Sequence, residues 1–464
     1  MSLFGTTGVR KVYGTEFTLD LALDLGMALG TYLGEGKILL AQDARTTGRM
    51  IADAFAAGVM STGVDVVRAG TIPTPTLAFM TGVDRYAAGV IVTASHNPPE
   101  YTGVKFWRSD GMGYTPEQER RIEDILQRRE FKRQTWDRLG KDTQIDHAVS
   151  RHMTAILDRC DVGLVASMGF KVVVDPGNGV GTLMTPYLLR KLGCKVLSIN
   201  GQLDGHFPGR RSEPDEESLA DLVTMVRQSG AALGVAHDGD SDRVVFVSET
   251  GEVIRGDRII ALLAREMIRD CTSKTVVTTV DSSQVLDDTV SKSGGATIRT
   301  PVGDIQVAMK IQESGACFGG EACGVFIFPD FHLGPEPFLA VCRVLELMAE
   351  SGRTLGELIS DIPVYPLSKV KLNCEEHIKG PVMELLERRL PSSVPEIVSV
   401  TKVDGLGIVL RNGWALVRPS GTEPVIRITC EAKTSDGLRQ ILDSVEPIVQ
   451  STIVEVASRR RQPL

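Results

Sequence analysis

Short runs of β-branched and aliphatic residues alternate with stretches of apolar 3–4 spacing, and the alternation restarts several times along the chain. Lys37–Asp43, Val64–Gly70 and Gly89–Ser95 read as strands ending in polar or glycine turns, and Leu19–Leu33 and Met50–Gly63 read as helices between them. This is the grammar of βαβ units, which build mostly parallel sheets covered by helices on both faces. It restarts after the charge-rich stretch Gln127–Arg151, with Lys171–Asp175 and Lys195–Ile199, and again after Gly251, with Thr275–Val280, Ala296–Thr300 and Ala316–Gly319. The last segment differs. Gly405–Arg411 and Trp414–Arg418 read as strands joined through Asn412-Gly413, a pair that tolerates the positive φ of a type I′ turn, and a strand over Val425–Ala432 and a helix near Asp436–Thr452 come after them. The expected fold class is α/β: three similar α/β domains with mixed, mostly parallel sheets, plus a smaller C-terminal α+β domain with an antiparallel sheet. A chain of 464 residues supports that division, because one core rarely serves more than ~250–300 residues. The boundaries expected are 1–135, 150–250, 254–362 and 366–464.

With 51 Lys+Arg against 59 Asp+Glu the net charge is −8, so a broad cationic field for nucleic acid is excluded, and anions must be held by locally gathered Arg, Lys or backbone N–H groups. No apolar run approaches the ~20 residues that span a bilayer, and Met1–Gly8 lacks a basic segment followed by an apolar one. Eight scattered Cys without a C-x-x-C pair read as reduced core residues, Cys323 standing apart, and the expected location is cytoplasmic.

Four loops carry chemistry. Thr93-Ala-Ser-His-Asn-Pro-Pro99 comes directly after a strand, where open α/β sheets place ligands. Ser95 beside His96 reads either as a nucleophile or phosphorylation site, or as a capped turn. In Asp238-Gly-Asp-Ser-Asp-Arg243 three carboxylates at i, i+2 and i+4 can converge on one hard cation. An EF-hand is excluded, because Arg243 stands where the loop needs glycine and the flanks read as strands; a Mg²⁺ site fits better than a solvated acidic turn. Phe318-Gly-Gly-Glu-Ala-Cys-Gly324 offers a carboxylate that can accept from sugar hydroxyls, or is a plain glycine turn. Arg418-Pro-Ser-Gly-Thr-Glu-Pro-Val-Ile-Arg427 is either a cradle for a dianionic phosphate or a tight strand connection. The stretch Asp175–Gly181 lacks the dinucleotide spacing and reads as a strand-to-helix turn, which disfavours a nicotinamide-dependent dehydrogenase.

Taken together and in this order, with Phe4–Arg10 before them, the loops T-A-S-H-N-P, D-G-D-S-D-R, G-E-A-C-G and R-P-S-G-T-E-P resemble those of the α-D-phosphohexomutase superfamily over nearly the whole chain. The resemblance implies four domains around a central cleft and a phosphohexose mutase working through a phosphoserine and a bisphosphorylated intermediate. It implies that Ser95 carries the phosphoryl group, primed by a hexose 1,6-bisphosphate or a kinase. One Mg²⁺ would be held by Asp238, Asp240 and Asp242 with a phosphoserine oxygen, and Lys105 would be the general acid/base. Arg10, His96 and Arg243 would support the moving phosphate. Glu321 and Cys323 would meet the sugar, and Arg418, Ser420, Gly421, Thr422 and Arg427 would grip the phosphate that does not react. The expected partner is a small phosphosugar, with no nucleic acid and no membrane, acting on a monomer or homodimer. The loop with Cys323 and Gly324 resembles that of phosphoglucosamine mutase-like branches, which implies glucosamine phosphate, with phosphomannomutase or phosphoglucomutase activity as the alternative and a non-catalytic phosphosugar-binding protein as the reading from another class. Many relatives carry Ser and His where this chain has Cys323 and Val325, and some carry His at Asp304. His332 is expected to reach toward the cleft in place of the missing loop histidine.

Overall fold

The computed structural model describes residues 3–5, 8–420 and 423–461, with side chains through Arg459. Four sheets succeed one another along the chain. In the first, the fully buried strand Ala88–Val92 lies between Lys37–Gln42, parallel to it, and Tyr101–Arg108, antiparallel to it. Burial on both faces is why its sequence is an unbroken apolar run rather than an alternating one. Helix Leu19–Leu33 has the expected bounds, with the Thr18 hydroxyl capping Leu21 N–H; the next runs Gly48–Ser61, two residues earlier than its periodicity predicts. The sixth strand of this sheet, Asp142–Gln144, pairs with Asp65–Thr71 and lies beyond residue 135, where the sequence pattern ends the first domain.

The second sheet places Leu233–His237 between the parallel Lys171–Asp175 and the antiparallel Val244–Ser248. In the third, Ala296–Thr300, Thr275–Thr279 and Phe318–Glu321 run parallel and Val325–Ile327 antiparallel. These two sheets share one continuous apolar core, in which Val172, Leu233 and Phe246 belong to the same cluster as Ile259, Phe318 and Phe338. Helix Pro337–Ser351 explains the merger: Phe338–Cys342, Val344 and Leu345 are all buried, so it is apolar on nearly every side and is enclosed by packing elements rather than lying on a surface.

The last sheet is wholly antiparallel, in the order Leu367–Asn373, Val425–Ala432, Gly413–Pro419, Leu406–Leu410 and Ile397–Thr401, with its own core against helices Lys379–Ser393 and Ser435–Arg461. The expected Asn412-Gly413 turn is corrected by one residue. Leu410 pairs with Gly413, so Arg411-Asn412 make the turn, and neither has positive φ. Gly413 is required for a different reason: a Cβ there would stand 2.1 Å from the Glu431 carbonyl oxygen of the neighbouring strand. All eight cysteines are free thiols; four are buried, three are half-buried and Cys323 is exposed, so the core assignment holds only in part. No helix among the described residues is long and apolar enough to cross a membrane.

Candidate active site

Ser95 stands at the carboxyl end of the buried strand Ala88–Val92, is itself fully buried, and has φ +50°, a left-handed conformation uncommon outside glycine. Its amide donates to Thr93 Oγ1 (2.9 Å), and the Thr93 hydroxyl donates to Asp43 Oδ2 (2.6 Å). Its own hydroxyl donates to Asp238 Oδ2 (2.8 Å), with His96 Nδ1 3.3 Å away. The serine and acidic loops, 143 residues apart in sequence, are therefore in direct contact. Gly239 permits this: a Cβ there would meet the Ser95 carbonyl oxygen at 2.8 Å.

Asp238, Asp240 and Asp242 project from the turn between Leu233–His237 and Val244–Ser248, and one oxygen of each lies within 4.8 Å of the others. The strand Tyr101–Arg108 of the first sheet supplies a counter-charge. Lys105 Nζ donates to Asp240 Oδ2 and Asp242 Oδ2, both at 2.7 Å, and Thr74 Oγ1 donates to Asp240 Oδ2 at 2.7 Å. Burial, reinforced by Asp242 and Asp240, raises the Asp238 carboxyl well above its ordinary value. Burial acts on Asp240 in the same direction, but Lys105 and the Thr74 hydroxyl overcome it and hold Asp240 low. For Lys105 burial favours the neutral amine, yet the two aspartates win and raise it. Burial and the nearby Arg243, Arg10 and Lys105 charges lower His96 to about 2. The trio fits a hard divalent cation: it offers only oxygens, and the buried Asp240 Oδ1 and Asp242 Oδ1 have no hydrogen-bond partner among the described residues.

The loop 318–324 joins the acidic loop through Val244 N–H, which donates to the Gly324 carbonyl (3.0 Å). Glu321 ends a parallel strand, is buried, and accepts from Gly303 N–H (2.8 Å) in the turn that also holds Asp304. Burial, with Asp304 and Asp281 nearby, raises Glu321 to about 8, and burial raises Glu119, which accepts from Gly8 N–H, to about 8 as well. These two shifts have a consequence for stability. Between pH 4.5 and about 8 the unfolded chain releases these protons while the folded chain keeps them, so the contribution is intact below pH 4.5 and is lost as pH rises toward 8. His96, held low, acts in the opposite direction below its ordinary value, so the test is a difference: from pH 5 to pH 8 the change in Tm is expected to be less negative in Glu321→Gln than in wild type, as read by thermal melts at the two pH values.

The candidate phosphate cradle stands on two antiparallel strands in which Arg418 is registered opposite Arg427. Arg418 Nε lies 2.9 Å from Asp404 Oδ2, Arg427 Nη2 donates to Glu423 Oε2 (2.6 Å), and Ser420 is buried. Gly421 and Thr422 lie outside the described residues. Asp404 Oδ2 also accepts from Val302 N–H (3.1 Å), next to the Gly303 that binds Glu321, and this links the Arg418 strand to the Glu321 loop. The buried Lys379 donates to the Ser420 and Glu423 carbonyls (2.6 and 2.7 Å).

Arg10 leaves the edge strand Val9–Val12, registered with Gly103, and senses the charges of Asp240, Asp242 and Arg243. Arg243 lies near Asp242 (3.9 Å) and Glu213 (3.5 Å). Val325 is buried in an apolar cluster, and His332 is engaged elsewhere. His332 Nδ1 accepts from Gly334 N–H (2.9 Å), which leaves the proton on Nε2 to donate to Glu336 Oε2 (2.9 Å). The fully buried His152 shares that carboxylate oxygen (2.8 Å) and stacks on Phe79, so His332 belongs to a packed joint where both its ring nitrogens are engaged. We expect His332→Ala to leave kcat/KM unchanged and to lower stability by about 1–3 kcal/mol through the donor lost to buried Glu336, read by steady-state kinetics and denaturant titration.

Four consecutive segments match the phosphoglucomutase/phosphomannomutase domain families: alpha/beta/alpha domain I over residues 1–133, domain II over 150–251, domain III over 255–365, and the C-terminal domain over 371–448. The chain belongs to the phosphoglucomutase/phosphomannomutase family. Within it, a probable phosphoglucosamine mutase of Methanopyrus kandleri is 43% identical over 453 residues, covering 98% of this chain and 99% of the relative. A phosphoglucomutase/phosphomannomutase of Thermococcus kodakarensis is 40% identical over 446 residues, covering 95% and 97%. Among solved structures, a family protein from Burkholderia thailandensis superposes with TM-score 0.87 at 26% identity, covering 96% of this chain and 97% of that one. The four-domain architecture is that of the phosphoglucomutase/phosphomannomutase structures.

Sequence reasoning passed over Asp43, Arg45, Thr74, Ser212, Asp404 and Lys379. Asp43 and Arg45 had a usable signal: they sit just past the carboxyl end of Lys37–Gln42, the position that drew attention to Ser95. Asp404 and Lys379 act on main-chain groups far away in sequence, which no local pattern announces.

Proposed function

We propose that this hexose phosphate mutase interconverts glucosamine 6-phosphate and glucosamine 1-phosphate. The observation that carries the mutase reading is the buried Ser95 hydroxyl donating at 2.8 Å to one member of an aspartate trio. Phosphoserine passes its phosphoryl group to the free hydroxyl of the bound sugar phosphate: the P–Oγ bond breaks, a P–O bond to the sugar forms, and the hydroxyl proton leaves to a base. The bisphosphorylated sugar turns over and its other phosphoryl group returns to Ser95 Oγ. Lys105, whose ammonium lies 2.7 Å from Asp240 and Asp242, is the candidate acid that protonates the departing Ser95 Oγ and, once neutral, takes the proton of the sugar hydroxyl. Arg10, His96 and Arg243 surround the moving group, and donors gathered in a buried site stabilise charge that spreads over its oxygens.

Asp238, Asp240 and Asp242, with a phosphoserine oxygen, would hold Mg²⁺, which supplies charge neutralisation to the phosphoryl group when bound. Glu321 and Cys323 face the sugar. A Glu321 carboxyl raised to about 8 keeps its proton at neutral pH and can both donate to and accept from hydroxyls. Arg418, Ser420, Gly421, Thr422 and Arg427 grip the phosphate at rest. The domains proposed are 1–135, extended to take in strand Asp142–Gln144, then 150–250, 254–362 and 366–464.

The identity to the Methanopyrus kandleri relative favours glucosamine phosphate, whereas the Thermococcus kodakarensis relative favours glucose and mannose phosphates as the second reading. A coupled assay with all three sugar phosphates, each with its bisphosphate activator, decides between them. The expected result is the highest kcat/KM for glucosamine 6-phosphate; a higher value for mannose or glucose phosphate overturns the choice of sugar.

A further inference from the structure

We propose that Arg45, together with Ser212, is a positioning residue for phosphoryl transfer, pinning the main chain of the serine loop so that Ser95 Oγ faces Asp238; this rests on the mutase reading above. The Arg45 side chain is 1% exposed, and all five of its guanidinium N–H groups have acceptors. Nη2 donates to the carbonyls of Ser95 (2.9 Å) and Asn97 (2.5 Å), and Nη1 to those of Pro98 (2.6 Å) and Tyr101 (3.0 Å). Nε donates to Asp43 Oδ2 (3.2 Å), the carboxylate oxygen that also receives the Thr93 hydroxyl. Four of five donors are therefore spent on one seven-residue segment, and that segment carries the nucleophile.

The second domain closes over the same clamp. Phe207 lays its ring over the guanidinium (5.2 Å), and the buried Ser212 donates its hydroxyl to the Ser95 carbonyl (3.0 Å). Two donors from different domains thus converge on the carbonyl of the nucleophile itself and fix its peptide plane. At φ +50° that residue is held against its own preference, and a conformation of this kind persists only where surroundings over-determine it. Released, the backbone relaxes to negative φ and the hydroxyl swings off the 2.8 Å line to Asp238. A lysine keeps the charge but has neither the planar fork nor a face for Phe207, so it cannot span four carbonyls.

The test tracks phosphoryl uptake from glucose 1,6-bisphosphate onto Ser95 by rapid quench and mass analysis, in intact wild type, Arg45→Lys and Ser212→Ala, beside KM, kcat and thermal melts. Arg45→Lys is expected to lose about 10²-fold in uptake rate and kcat with KM little changed, the cost of misplacing a reacting atom by about an ångström. Ser212→Ala, which keeps every Arg45 contact and removes one hydroxyl, is expected to lose uptake rate and kcat in the same direction by a smaller factor, again at constant KM and with a cooperative melt. If Arg45→Lys fails to fold, Ser212→Ala alone decides. Uptake at the wild-type rate in either folded variant, or a loss confined to KM, overturns the proposal. A wild type that acquires no phosphate on Ser95 defeats the mutase reading instead.

Discussion

Replacing Ser95 with alanine removes the hydroxyl proposed to carry the phosphoryl group between the two half-reactions, and kcat is expected to fall by ~10³-fold or more. Substrate affinity survives, because the groups proposed to grip the resting phosphate, Arg418, Ser420 and Arg427, stand on the C-terminal sheet, built on different strands from those carrying Ser95. The fold survives as well. Among the described residues Ser95 Oγ bonds Asp238 and His96 Nδ1, and Asp238 keeps its second contact, Arg243 N–H to Oδ1 at 3.3 Å. Coupled assays, equilibrium binding of the phosphosugar and thermal melts on one preparation check all three statements.

Lys105→Met produces the second large effect, and it appears in stability as well as rate. The ammonium is 1% exposed and lies 2.7 Å from each of two carboxylates, Asp240 being fully buried too. Removing it leaves a compact group of like charges in a low-dielectric pocket, where breaking one side of a buried ion pair costs about 3–5 kcal/mol. The same physics predicts compensation. A divalent cation bound by the trio replaces the missing positive charge, so Mg²⁺ raises Tm more in Lys105→Met than in wild type, and chelator removes the difference. Activity is expected to stay low whether or not Mg²⁺ is present, because the group proposed to carry the proton is gone. Differential scanning calorimetry with Mg²⁺ and with chelator reads the first statement, and initial rates read the second. Identical melting curves for both proteins under both conditions contradict it.

Much of this architecture is written in local pattern. The apolar run Ala88–Val92, too uniform for a half-exposed strand, marks a strand buried on both faces, and the loop at the carboxyl end of such a strand is where open α/β sheets place ligands. The alternate aspartates of Asp238–Asp242 between two strand-like flanks likewise declare a turn whose charges must be neutralised by something. Contacts across the sequence stayed hidden. The pairing of Lys105 with Asp240 joins residues 135 apart, and the Arg45 fork binds carbonyls, which carry no side-chain signature. The common core of the second and third domains was hidden for the same reason, since a helix apolar on every side shows that it is buried but not between which partners. At Arg411-Asn412 the local signal misled: Asn-Gly suits a type I′ turn, but here glycine answers the approach of the Glu431 carbonyl. His332 misled in the opposite way, a histidine in a candidate loop whose ring nitrogens are both engaged in packing.

Catalysis of this kind requires the Ser95 oxygen to bear the travelling phosphoryl group. Protein phosphorylated on Ser95, mixed with glucosamine 6-phosphate and quenched within a single turnover, answers whether it does when the Ser95 peptide is weighed and the sugar products are separated. The predicted result is loss of phosphate from that peptide in step with the appearance of glucosamine 1,6-bisphosphate, and then its return as glucosamine 1-phosphate forms. Phosphate that stays on Ser95 while product accumulates would contradict the phosphoserine route.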